Sequence, residues 1–154
     1  MKEEAVQAQD AARVPLENIR VGLSANDWEE AVQEAAKPLL DSRAIRDEYV
    51  DAMLDGVKRL GPYIALMPGF ALAHSVPSKS VLRTDMSVAV FDTPVRFSSN
   101  NDPIYVVMCL ACKDKESHIE RLQGIAQKFL DDTNLVDRMR GCKTAEELFS
   151  LLNE

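Results

Sequence analysis

Gly61-Pro62-Tyr63-Ile64-Ala65-Leu66-Met67-Pro68-Gly69-Phe70-Ala71-Leu72-Ala73-His74 is the stretch on which the reading of this chain turns. Two short apolar runs, 63–66 and 70–73, are separated by Pro68-Gly69. Apolar runs of about four to eight residues between Pro, Gly, Asn and Asp read as strands. Gly61-Pro62 stops whatever helix precedes them. His74 follows the second run and leads into Ser75-Val76-Pro77, a loop. A side chain there is held by a rigid strand yet stands at its open end, where it can meet a partner.

Outward from this stretch the period changes on both sides. Upstream, Asn26 with Glu29 three residues on reads as a capping box. Trp28, Ala31, Val32, Ala35 and Leu39 follow at helical spacing, with Pro38 near the helix end. A second helix is predicted over 47–60, with Tyr49, Ala52, Met53, Val57 and Leu60 on one face. Downstream, 86–91 and 104–110 are further strand-like runs, 95–97 reads as a short strand between them, and 100–103 (Asn-Asn-Asp-Pro) as a turn.

The last third is helical. Ser117 with Glu120 reads as a capping box, and Ile119, Leu122, Ile125, Ala126 and Phe129 as the buried face behind it. A short helix over 135–140 ends at Gly141. Thr144 and Glu147 cap a last helix that buries Leu148, Leu151 and Leu152. The expected order is two helices, a block of strands, then three helices. There is no internal repeat and no linker. The expected fold class is α/β, one domain over 16–154 with helices covering a sheet, after a flexible tail over 1–15.

Composition narrows the function. The 154 residues carry 18 basic and 25 acidic side chains, a net charge of −7. That argues against a nucleic-acid partner, whose phosphates favour a basic patch. No apolar run approaches the roughly 20 residues that span a bilayer, and 1–13 lack the apolar core of a secretory signal. A cytoplasmic chain with no direct membrane insertion is expected. Three cysteines in such a chain read as free thiols. Cys109 and Cys112 form a Cys-x-x-Cys, but within an apolar run. Redox pairs favour a helix start, where the thiol pKa is lowered, so two buried strand cysteines are the preferred reading. No zinc set is spelled by two histidines and three cysteines at these spacings. No Walker-type glycine-rich loop is present, so a nucleotide kinase is not expected.

The chemistry rests on the only two histidines, His74 and His118. His118 falls just after the expected N-cap Ser117, in a helix first turn whose free amides and dipole favour anions and a neutral imidazole. Brought together, the two rings make a nucleophile and an anion-stabilising partner. Read from residues alone, the favoured reading is that both are ordinary surface or satisfied core histidines, since most histidines have no catalytic role.

The stretch 61–74 resembles the active-site segment of the enzyme IIA proteins of the sugar phosphotransferase system, mannitol/fructose (type 2) class. It is most similar to the ascorbate-type subgroup, with its Gly-Pro-Tyr start, its Pro-Gly before the last strand and its terminal histidine. Trp28-Glu29-Glu30-Ala31-Val32, Asn101-Asp102-Pro103-Ile104, Ser117-His118-Ile119-Glu120-Arg121-Leu122 and Arg140-Gly141-Cys142-Lys143-Thr144 are similar in the same order, over 16–152.

The resemblance implies a mixed β-sheet flanked by helices. It implies a phosphotransferase: a phosphohistidine carrier in which His74 accepts a phosphoryl group from phospho-HPr. The group then passes to a cysteine of enzyme IIB and, through IIB, serves the membrane IIC component in carbohydrate uptake. It implies that His118 stabilises the phosphoryl oxygens, with no cofactor and no metal. Ser75 and Ser117 are further phosphoryl-stabilising candidates, though Ser75 equally reads as a turn-shaping residue. Phe70, Leu72 and Val76 are candidates for an apolar partner surface, with a core role open for each. A homodimer is left open.

Two departures stand out. Relatives often have proline before the active histidine and glycine after it, where this chain has Ala73 and Ser75. Mannitol-type members carry a phosphate-binding arginine in the preceding helix; the nearest positions here are Gly56, Lys58 and Arg59, differently spaced. Lys79 and Arg83 read as loop charges or as cations lining the phosphoryl site. The rival outputs are a phosphorylation-dependent regulatory binding protein, of the nitrogen type, and a degenerate homologue that is not phosphorylated. Retention of both histidines argues against the latter.

Overall fold

A computed structural model describes residues 14–153. After a 3-10 turn at Leu16–Asn18 come β1 (Ile19–Leu23), α1 (Trp28–Asp41), α2 (Asp47–Leu60), β2 (Ala65–Met67), β3 (Phe70–Ala73), β4 (Asp85–Val95), β5 (Ile104–Ala111), α3 (Lys115–Asp131), α4 (Leu135–Arg140) and α5 (Ala145–Leu152). The five strands form one sheet in the order β1-β4-β5-β3-β2. It is mixed: β1 runs parallel to β4 and β3 to β5, while β4–β5 and β2–β3 are antiparallel. The expected class, a single domain with a mixed sheet flanked by helices, is the observed one.

Strand alternation builds two cores, because successive side chains leave a strand on opposite faces. Ala71 and Ala73 of β3, Val107 and Cys109 of β5, and Ala89 and Phe91 of β4 point to one face, under α1 and α2. Phe70, Leu72, Val106, Met108, Leu110, Met86, Val88 and Val90 point to the other, under α3, α4 and α5. The small alanines on the first face let α1 and α2 approach closely. On the second, Phe70 stacks on Phe129 of α3 with ring centres 3.9 Å apart.

Several expectations need correction. β1 precedes the helices, so the order of two helices, then strands, then helices does not hold. Its pattern is masked by Gly22, at φ 71°, and by a register shift between Arg20 and Leu23. Residues 95–97 are no separate strand: Val95 ends β4 and pairs with Ile104. The cap of α1 is Asp27, whose carboxylate accepts the N–H of Glu30, not Asn26. The tail expected over 1–15 lies outside the described residues up to 13; Val14 is wholly buried against the second core.

The 100–103 turn is as expected. The Asp102 carboxylate accepts the N–H groups of Phe97 and Ser99, which closes the β4–β5 connection. The Asn101 side chain donates to Ala65 O at 2.9 Å. These bonds hold the β2–β3 hairpin against the sheet, and β3 delivers His74 from that hairpin.

Candidate functional site

His74 stands one residue past β3, whose last register pair is Ala73 with Cys109. Counting by two from Phe70 and Leu72 assigns it to the α3 face. There its ring lies 5.6 Å from that of His118, centre to centre, at 50°. The tertiary fold thus brings together the two histidines that the sequence singles out.

The His74 Nδ1 lies 2.6 Å from Leu72 O. A carbonyl oxygen only accepts, so Nδ1 carries the proton and Nε2 keeps the lone pair. The tautomer follows from that bond. Burial pushes the His74 pKa below the ordinary histidine value, because the imidazolium loses its hydration. The bond to Leu72 opposes this shift and His118 adds to it. The result is a neutral imidazole at pH 7 with a free nucleophilic nitrogen.

Two tyrosines, absent from the sequence-derived site, hold the main chain at His74. Tyr63 Oη donates to His74 O at 2.9 Å, and its ring meets the imidazole edge-on at 5.4 Å between centres. Tyr49 Oη accepts the N–H of Ser75 at 2.9 Å and donates to Leu110 O at 2.8 Å, with Ser75 O at 3.1 Å as a second acceptor. Tyr49 reads in sequence as one more apolar-face residue of α2; nothing in helical spacing reveals where its hydroxyl goes. Tyr63 stands out in sequence only as part of the Gly-Pro-Tyr start.

His118 is the fourth residue of α3, because the helix starts earlier than its sequence suggests. Asp114 is the N-cap, and its carboxylate accepts the N–H of Ser117 at 2.7 Å. Ser117 is therefore not the cap. Its hydroxyl donates to the Asp114 carboxylate at 3.2 Å. The N–H of His118 already bonds to Asp114 O at 3.2 Å, so it is not a free first-turn amide. Burial lowers the His118 pKa. Its Nδ1 is buried without a hydrogen-bond partner.

Phe70 and Leu72 are fully buried in the second core and cannot meet a partner; their strand positions face α3. Val76 is 73% exposed and Ile119, beside His118, 48% exposed. Ser75 is held through its main chain by Tyr49. Lys58 pairs with Glu29 and Arg59 with Asp55, so both cations are occupied on the surface of α2. Arg83 binds Ser42 and Asp85. A Cβ on Gly56 would stand 3.1 Å from the Tyr63 hydroxyl, so the phenol occupies the space a side chain at 56 would take.

Cys109 belongs to the first core and Cys112 to the second, on opposite sides of the sheet. Burial pushes their thiols up, to about 12 and about 11. They are structural. Among the described residues, no group of three or more His, Cys, Asp or Glu is placed to hold a metal ion, and no helix is long and apolar enough to cross a membrane.

The mixed α/β sheet thus carries, at the end of β3, a neutral, oriented histidine beside a second one. Residues 14–154 match the family model described as "Phosphoenolpyruvate-dependent sugar phosphotransferase system, EIIA 2". The chain belongs to that family. It is 34% identical over 138 residues to the ascorbate-specific PTS system EIIA component of Salmonella typhimurium, covering 88% of this chain and 89% of the relative. Among solved structures it is similar to the mannitol-specific cryptic phosphotransferase enzyme IIA of Escherichia coli, at TM-score 0.82 and 29% identity over 96% of this chain and 98% of that one. It is also similar to a chain of the Escherichia coli complex of mannitol enzyme IIA with phosphorylated enzyme IIB, at TM-score 0.78 and 28% identity over 91% and 96%.

Proposed function

We propose that this EIIA-family chain is a cytoplasmic phosphocarrier in which His74 Nε2 accepts a phosphoryl group from phospho-HPr and passes it to a cysteine of enzyme IIB. The observation that carries the reading is the Nδ1–Leu72 O bond at 2.6 Å, which leaves the lone pair on Nε2 of a ring that stands beside His118.

In acceptance, the Nε2 lone pair forms the bond to phosphorus as the donor's P–N bond breaks. The bonding pair returns to the donor ring nitrogen. No proton need leave His74 first, because the proton sits on Nδ1. As Nε2 bonds, the ring gains positive character and the Leu72 carbonyl stabilises it. In delivery, a thiolate of the IIB partner attacks phosphorus and the P–N pair returns to Nε2. Most of the catalysis is positioning and stabilisation of the equatorial oxygens. His118, neutral and with Nδ1 enclosed, supplies an Nε2–H donor to one of them. Ser75 remains a candidate hydroxyl donor beside the site.

Val76, Ile119 and the half-exposed Tyr63 make the apolar rim on which HPr and IIB dock. The names of the curated relatives support ascorbate, or a related sugar, as the carbohydrate handled through IIB and its membrane component.

Incubation with phosphoenolpyruvate, enzyme I and HPr, followed by intact mass, tests this. One acid-labile phosphoryl addition, lost in His74→Ala, is expected, with slower addition in His118→Ala. No addition to the wild type, with active HPr and a working IIA as control, overturns it.

A further inference from the structure

His74 C=O and Ser75 N–H belong to one peptide unit, and each end of that unit is held by a different tyrosine hydroxyl. A peptide is a rigid plane. Tied at its oxygen and at its nitrogen, it cannot swing about the line joining its two Cα atoms, which fixes ψ of His74 and φ of Ser75. The two anchors have separate foundations. Tyr49 is fully buried between α2 and the sheet, and its hydroxyl reaches across to Leu110 O of β5. Tyr63 comes from the loop after α2, and its hydroxyl rests against Gly56. The ring itself is tied a third time, through Nδ1 to Leu72 O.

We propose that Tyr49 and Tyr63 are positioning residues for His74: their two hydroxyls grip the peptide that joins His74 to Ser75 and so set where Nε2 stands when the phosphoryl group arrives. This rests on the carrier reading. In-line transfer tolerates little misplacement, and a reacting atom displaced by about 1 Å can cost on the order of a hundredfold in rate. Holding that peptide also holds the His74 carbonyl carbon and so φ of His74; released, rotation about φ would carry Cβ and the imidazole with it and break the Nδ1 bond that selects its tautomer. Neither tyrosine touches the reacting atoms through its hydroxyl: both hydroxyls are spent on main chain.

The test uses the full chain with Tyr49→Phe and Tyr63→Phe, which keep both rings and remove only the oxygens. Two readouts are taken on each. The first is the single-turnover rate of phosphoryl uptake from phospho-HPr, with its dependence on HPr concentration. The second is nitrogen-15 NMR of the histidine rings in the unphosphorylated protein, which reports the His74 tautomer directly.

Wild type should show the Nδ1–H tautomer. Each variant should show a mixed or shifted ring signature. Uptake should fall about tenfold or more, with the half-saturating HPr concentration changed by less than about twofold. Wild-type ring shifts in both variants overturn the proposal, whatever the rate does, because a rate loss alone would place the phenols in docking. Wild-type rates with altered shifts overturn it equally. If Tyr49→Phe fails to fold, the half-exposed Tyr63→Phe decides alone. Failure of the carrier reading appears separately, as a wild type that takes no phosphoryl group while its ring spectra still report the tautomer.

Discussion

The hydroxyl of Tyr63 lies 3.1 Å from the point where a Cβ on Gly56 would stand, so the glycine and the phenol share one space on the inner face of α2. Glycine inside a helix costs about 1 kcal/mol relative to alanine, and here it stands in the middle of a 14-residue helix. Gly56→Ala should therefore leave the melting temperature unchanged or raise it slightly, while it pushes the phenol off His74 O and slows phosphoryl uptake. Calorimetry beside the uptake assay checks this. Unchanged uptake would mean the phenol adjusts freely.

Removing the Tyr49 hydroxyl leaves the Ser75 N–H without its partner and Leu110 O short of one in the interior. Tyr49→Phe should cost about 1–3 kcal/mol of stability, the usual penalty for such groups. Tyr63→Phe, at a half-exposed site where water can replace the bond, should cost less than about 1 kcal/mol. Urea denaturation of both variants measures the difference, and equal losses would contradict the burial argument.

Both histidines have folded pKa values below the ordinary value of about 6.5. Between the folded and unfolded values the unfolded chain binds more protons, so stability is lost as pH falls. The loss should begin near pH 6.5 and continue down through the folded pKa values. His74→Gln with His118→Gln should flatten that slope, as urea midpoints between pH 7.5 and 5.5 would show (chosen to stay above the carboxylates, about 4). Phosphoryl uptake should likewise keep its plateau to a pH below 6.5, since Nε2 stays unprotonated there. A slope that survives in the double variant would assign the acid sensitivity to other groups.

The core and the rim should separate cleanly. Phe129→Ala removes a ring stacked on Phe70 in the second core and should cost about 3–5 kcal/mol. Val76→Asp, at a position 73% exposed, should leave the melting temperature within about 2 °C, since surface changes stay within about 0.5 kcal/mol. It should weaken HPr binding, measured by titration calorimetry. Equal HPr affinity would remove Val76 from the docking rim.

Native Cys109 and Cys112 should resist a thiol reagent, since both are buried and their thiols are pushed up. Cys142, partly exposed, should react first. Rapid modification of two or three thiols in the folded chain would contradict this packing.

The local chemistry of the chain was largely determined by its sequence. The period of α2 and the Gly61-Pro62 stop placed that helix at 47–60, as observed. Pro68-Gly69 and the apolar run after it placed β3 and set His74 at its end, because turn residues and strand alternation act over a few positions. Thr144 and Glu147 marked the last cap for the same reason. Where several polar residues competed within one turn, as at Asn26 with Asp27 and Asp114 with Ser117, local signals could not choose between them, since each is a good cap for a helix starting just after it. β1 was illegible, because a short edge strand with a positive-φ glycine carries no alternation and is defined only by its pairing to β4.

Tertiary structure alone decided three things. It set His118 5.6 Å from His74, since α3 meets the end of β3 only once the sheet has formed. It consigned Phe70 and Leu72 to the core, because an apolar strand residue shows which side is covered only when both faces are packed. And it carried two tyrosine hydroxyls to a single peptide bond, a convergence that no sequence spacing encodes, because hydrogen bonds to main chain depend on where the backbone lies rather than on which residue it bears.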